Sequence, residues 1–142
     1  MARLVRILRV EHERTREGPF GAHASRHGKH GLLANVRDRE TDAMYDPPGP
    51  GEDTGGETPA TLSDRWDLPH REVRFGFASR AQVLRWFRLR SLWDDLGRDR
   101  FVVSEYEVPA DRVQPGRSQI MFDQSSARLV AQHPPGAFGA AL

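Results

Sequence analysis

VRFGFASRAQVLRWF, residues 73–87, decides how the chain is read. Val73, Phe75 and Phe77 alternate as one face of a strand. Gly76 falls on the opposite face, where a backbone or a ligand can come close. Ser79 then stands where a helix N-cap belongs, and Gln82 three residues on completes a capping box. Ala81, Leu84 and Phe87 follow at helical spacing, and Val83 and Trp86 widen the apolar face. A strand that ends in serine and turns at once into an aromatic helix is either an ordinary joint in a small core or the floor of a ligand pocket. Trp86 and Phe87 belong to the core under both readings.

Upstream, LVRILRVEH (4–12) alternates as a strand. Leu4, Arg6, Leu8 and Val10 share one face; Val5, Ile7, Arg9 and Glu11 share the other. Both faces are mixed, so each is expected to be partly covered. Glu17-Gly18-Pro19-Phe20 ends the strand with turn chemistry. Residues 21–72 are mostly punctuation, with Leu32–Val36 as one short anchor. DPPGPGEDTGGETPATLSD (46–64) has few large apolar groups and many Pro, Gly and acidic residues. Such a segment buries too little surface to offset its ordering entropy, so a flexible insertion is expected over about 41–64. Trp66 tacks its end back onto the body.

Downstream, Ser91 and Asp94 offer a second capping box that opens a short helix, with Gly97 as its C′ stop. FVVSEYEVP (101–109) is a strand closed by Pro109, Val113 anchors the next turn, and Gln119–Phe122 and Ala127–Val130 read as two more strands. Residues 132–142 read as a frayed tail. The order implies a single α+β domain over 1–131. Its sheet is curved or split and mainly antiparallel, with a helix pair on one side and a long flexible loop.

Composition narrows the function classes. The chain has 142 residues, 37% hydrophobic and 29% charged, enough for one domain with a real core. A net charge of +1 gives no basic excess of the kind nucleic-acid binding needs, although all 21 basic residues but Lys29 are arginine. No apolar run is long enough for a membrane span. No targeting signal is read, so the expected location is cytoplasmic. The absence of cysteine excludes disulfides, thiolate metal sites and a cysteine nucleophile.

Several constellations could carry chemistry. His23, His27 and His30 lie close together, but Gly28 and Gly31 argue against the helix that would align them, so no metal is expected. Arg9 and His12 stand at the end of the first strand, where a functional side chain is well placed. The bland alternative pairs Arg9 with Glu105 or Glu107 on a neighbouring strand. Glu105 and Glu107 share a strand face and could do acid–base work if buried together. Ser79 has no nucleophile elbow around it, and capping alone explains it. No Gly-rich phosphate loop is present.

The order of these pieces resembles the ADP-ribosyltransferase fold. A first strand ends in Arg or His, VRFGFAS leads into RAQVLRWF, and FVVSEYEVP precedes SQIMF. The resemblance implies an NAD or related nucleotide ligand. Arg9 or His12 would orient it, Ser79 would support the nicotinamide ribose, and Gly18, Phe20, Phe75 and Phe77 would lie along the pocket. Gln119 stands where that family has its glutamate. A glutamine cannot supply the negative charge, so Glu105 or Glu107 would act from another strand, or the protein would bind without catalysing. The chain also resembles small proteins of actinobacterial genomes and their phages, through Arg9-Val10-Glu11-His12 and the G-F-x-S…W-F centre. That resemblance implies a second expectation from another class: a non-catalytic binding protein that docks a host or virion protein.

Overall fold

The computed structural model describes residues 3–18, 55–88 and 90–139. Among them are six strands and four helices. In chain order these are β1 (Leu4–His12), α1 (Pro59–Trp66), β2 (Val73–Gly76), α2 (Arg80–Trp86), α3 (Arg90–Arg98), β3 (Phe101–Pro109), β4 (Val113–Pro115), β5 (Ile120–Asp123), β6 (Arg128–His133) and α4 (Gly136–Gly139). The expected α+β class is the observed one.

The strands form two antiparallel three-stranded sheets, ordered β1-β3-β6 and β2-β5-β4. Among the described residues one β-bridge joins the sheets, Leu8 with Phe77, whose N–H groups and carbonyls exchange bonds of 2.8 and 2.7 Å. Gly76 permits this approach. A Cβ there would stand 2.8 Å from the Leu8 carbonyl oxygen, so a strand backbone occupies the space that the glycine leaves. Beyond the bridge, β1 and β2 diverge and the sheet splits.

The helix pair α2 and α3 covers one face. Val83, Trp86, Phe87, Leu92, Trp93 and Leu96 pack with Val10, Phe77, Phe101 and Val103 in one apolar cluster. Trp93 ties the pair together, because its indole N–H donates to the Phe87 carbonyl at 2.9 Å. Ser79 caps α2 as expected, accepting from the Gln82 N–H at 3.2 Å. Gln82 reaches one residue further back than a capping box requires, and its Oε1 accepts from the Ala78 N–H at 2.7 Å. A second cluster holds Ile7, Tyr106, Val108, Ile120 and Phe122. A third places Leu62 and Trp66 of α1 on Val73 and Met121, with Phe75 packed against it.

Several expectations need correction. The last residues of the stretch read as flexible form α1. Thr58 and Thr61 cap it reciprocally, Pro59 sits in its first turn, and Asp67 ends it in a left-handed conformation. The second capping box does not open α3, which already includes Ser91, and Gly97 lies inside that helix rather than after it. The left-handed residue that follows is Arg100. Val73 and Phe75 do not share a cluster with Phe77, because the strand breaks at Gly76 and Phe77 joins the helices. Val113 opens a short strand. The tail is not frayed as far as residue 139. β6 runs to His133, and Phe138 of α4 is buried against Trp93 at a ring separation of 5.5 Å. Phe20, the three clustered histidines, Leu32–Val36 and residues 41–54 of the expected insertion lie outside the described residues.

Candidate functional site

The split between the sheets is where charge is buried. Alternation along β1 turns Ile7, Arg9 and Glu11 to one face. Arg9 and Glu11 are 5% and 0% exposed. An isolated buried charge is costly, so each must be paired. Arg9 Nε donates to Glu11 Oε1 at 3.0 Å, and Arg9 NH1 donates to the Phe75 carbonyl at 2.6 Å. That second bond has a structural cause. Once β1 and β2 part, the guanidinium of Arg9 spans the gap to a β2 carbonyl. Arg9 NH2 also donates to the Arg16 carbonyl at 3.3 Å.

The other oxygen of Glu11 is equally engaged. Tyr106 donates its hydroxyl to Glu11 Oε2 at 2.5 Å, and Arg16 NH1 donates to the same oxygen at 3.2 Å. Arg16 NH1 also reaches the Tyr106 hydroxyl at 3.2 Å. Burial pulls the Arg9 pKa below its ordinary value; the Glu11 carboxylate opposes this, and nearby Arg74 adds to it. Burial also raises the Tyr106 pKa, and its bond to Glu11 pushes in the same direction. The phenol therefore stays neutral and remains a donor at ordinary pH. Gly18 lies against this cluster, where a Cβ would come 3.2 Å from Arg9 NH2.

The family described as bacteriophage T4 Y00F protein matches residues 1–136. The chain belongs to this family. No curated protein and no solved structure matches it.

The residues singled out in this Y00F-family sequence are not gathered in one place. Arg9 pairs with Glu11 on its own strand, not with Glu105 or Glu107. Arg6 instead bonds to Glu105 and lies 3.6 Å from Glu107. Glu105 is also 3.0 Å from His133, and Glu107 bonds to Arg128. These two carboxylates thus belong to a surface charge ladder. Their pKa values are lowered, chiefly by the His133 bond for Glu105 and by the Arg128 bond for Glu107. A lowered pKa suits a permanent anion better than a general acid.

Ser79 is exposed and engaged in capping. It lies two residues past the Leu8–Phe77 bridge. In an antiparallel register that direction leads toward Arg6 and away from Arg9. Gln119 is buried just before β5. His12 is buried at the strand end, where Nδ1 accepts from the backbone N–H groups of Arg14 and Thr15 at 3.2 and 3.4 Å. It borders an open depression of about 500 Å³ with Arg14, Thr15 and Arg100. Phe75 packs under α1, and Phe77 lies in the helix-side core. Among the described residues, no cluster of three or more His, Cys, Asp or Glu side chains could hold a metal. No described helix is long and apolar enough to cross a membrane.

Sequence reading did not find the partners of Arg9. Glu11, Arg16 and Tyr106 complete the buried network, and Arg74 stands beside it. One signal was available: opposite charges at i and i+2 on an otherwise apolar strand face, after Ile7.

Proposed function

We propose that this phage-family chain is a non-catalytic binding protein that docks a host or virion protein. One observation carries the reading. The side chains that ADP-ribosyl transfer would require are divided among separate places and bound into the fold. Arg9 holds the sheet split, Ser79 caps a helix, and Glu105 and Glu107 sit in surface ion pairs.

The surface best suited to docking is the outer edge of β6. Among the described residues this strand ends its sheet, and Leu129 and Val130 are among the most exposed large apolar side chains. An edge of this kind can receive an extended segment of a partner through backbone hydrogen bonds.

The test has two arms. Affinity capture from phage-infected cells is run with the natural chain and with a Leu129→Lys, Val130→Lys variant, and NAD turnover is followed in the same preparations. The expected result is one specific partner, lost in the variant, with no turnover in either. Turnover abolished by both Arg9→Ala and Ser79→Ala would overturn the reading and favour an NAD-dependent ADP-ribosyltransferase.

A further inference from the structure

We propose that the split between the two sheets is an oxyanion site, in which Arg74 and Arg9 take a phosphate group of a small molecule. The proposal requires no protein partner and stands apart from the docking edge on β6.

Arg74 is a charged residue with a buried donor that the fold leaves unsatisfied. Its Nε is buried and has no hydrogen-bond partner. Buried donors are almost always paired, and leaving one unmade is costly, more so on a charged group. Neighbouring Arg9 shows what a satisfied guanidinium looks like in the same place. It donates to Glu11, to the Phe75 carbonyl and to the Arg16 carbonyl. Arg74 precedes Phe75, whose carbonyl Arg9 holds, and pairs in register with Phe122, which packs against Ile7 of β1, so the two arginines meet at the same part of the split.

Among the described residues, the charges there do not balance. Arg74 acts on Arg9 as a like charge, which disfavours both cations. Both oxygens of Glu11 are already in use, Oε1 by Arg9 and Oε2 by Arg16 and Tyr106. Among the described residues, Glu11 is the one carboxylate bonded to these arginines. Even with Glu17 counted, the residue before the Gly18 that lies against Arg9, three guanidiniums outnumber two carboxylates among the described residues. Arg9 uses three of the five N–H groups that a guanidinium carries. The donors left on the two arginines call for an acceptor with several oxygens. A phosphate can take two planar forks at once, whereas a carboxylate engaged by one fork has both oxygens filled.

The test is calorimetric titration of inorganic phosphate and of pyrophosphate into the full chain at constant ionic strength, with melting temperature as a second readout. The variant is Arg74→Gln, which breaks no side-chain hydrogen bond among the described residues, and Arg71→Gln on the exposed turn before β2 is the control. Phosphate or pyrophosphate is expected to bind and raise the melting temperature of the natural chain and of Arg71→Gln. Arg74→Gln is expected to weaken binding about tenfold or more. It is also expected to leave the ligand-free melting temperature unchanged or raised, because a like-charge contact is removed. Equal binding by Arg74→Gln, or no binding of either probe, overturns the site. Acetate binding as tightly as phosphate overturns the assignment to phosphate.

Discussion

Arg6 and Arg9 lie three residues apart on β1 and make opposite use of one side-chain type. Arg6 is 55% exposed and belongs to a ladder of surface charges with Glu105, Glu107, Arg128 and His133. Arg9 is buried and closes a split between two sheets. On the surface, water screens each charge and any one pair can be lost with little consequence. In the split, each group is held because its partner is there, so removing one strands the other. The surface ladder and the buried network therefore predict very different responses to the same kind of substitution.

The largest effect is expected at Glu11. Glu11→Gln leaves Arg9 buried without its counter-charge, which should destabilise the fold by about 3–5 kcal/mol. Urea denaturation measures this directly. A loss under about 1 kcal/mol would place Glu11 with the surface charges and remove the distinction. Next comes Gly76→Ala. Its Cβ would meet the Leu8 carbonyl at 2.8 Å, so the Leu8–Phe77 bridge between the sheets must shift. Overpacking of this kind costs about 1–3 kcal/mol. If alanine is tolerated without loss, the close approach of the two backbones is not what holds the sheets together.

The faces of the strands were more legible in the sequence than the partners of their charges, and the reason is physical. Alternation along LVRILRVEH and FVVSEYEVP shows which residues share a face, and the Ser79 joint carries its own capping signal. These are local patterns, set within a few residues of chain. The buried network depends on a divergence between β1 and β2, which are more than sixty residues apart, and its one local mark is the pair of opposite charges at Arg9 and Glu11 on an otherwise apolar strand face. α1 was hidden because Pro59 and Thr58 read as loop residues, although they are also the residues that start helices. α4 was hidden because four residues carry no period, and Phe138 is held by Trp93 rather than by its neighbours in sequence. Arg9 was read as a strand-end side chain or as a partner of Glu105 or Glu107, and its bonds run elsewhere. Its partners became identifiable only when the strands were placed.

Tyr106 tests the buried network from its edge. Tyr106→Phe keeps the ring in its apolar cluster and removes one bond to Glu11, which still has Arg9 and Arg16. The expected loss is about 1–2 kcal/mol, well below that of Glu11→Gln. Its pH dependence is distinctive. The folded pKa of Tyr106 is raised above that of the unfolded chain, by burial first and then by the Glu11 bond. This contribution is therefore complete below the ordinary tyrosine range, about pH 10, and is lost as pH rises through the higher folded value. Denaturation of the natural chain and of Tyr106→Phe at pH 8 and above 10 should show the gap between them closing. A gap that stays constant would mean the hydroxyl bond is not coupled to the phenol proton.

The smallest effect belongs to the surface ladder, and its pH dependence runs the opposite way. The folded pKa of Glu105 is lowered, first by His133 and then by Arg6. A carboxylate with a depressed folded pKa stabilises the fold above its ordinary range, near pH 4, and loses that contribution as pH falls through the folded value. Glu105→Gln should therefore differ from the natural chain by less than about 1 kcal/mol at neutral pH, after solvent screening is allowed for, and by nothing in strong acid. High salt should shrink the neutral-pH difference further. The gap at Glu11 should survive the same salt, because ions cannot reach a fully buried pair. If salt reduced both gaps in proportion, solvent would be reaching the split between the sheets and Arg9 would be a surface charge like Arg6.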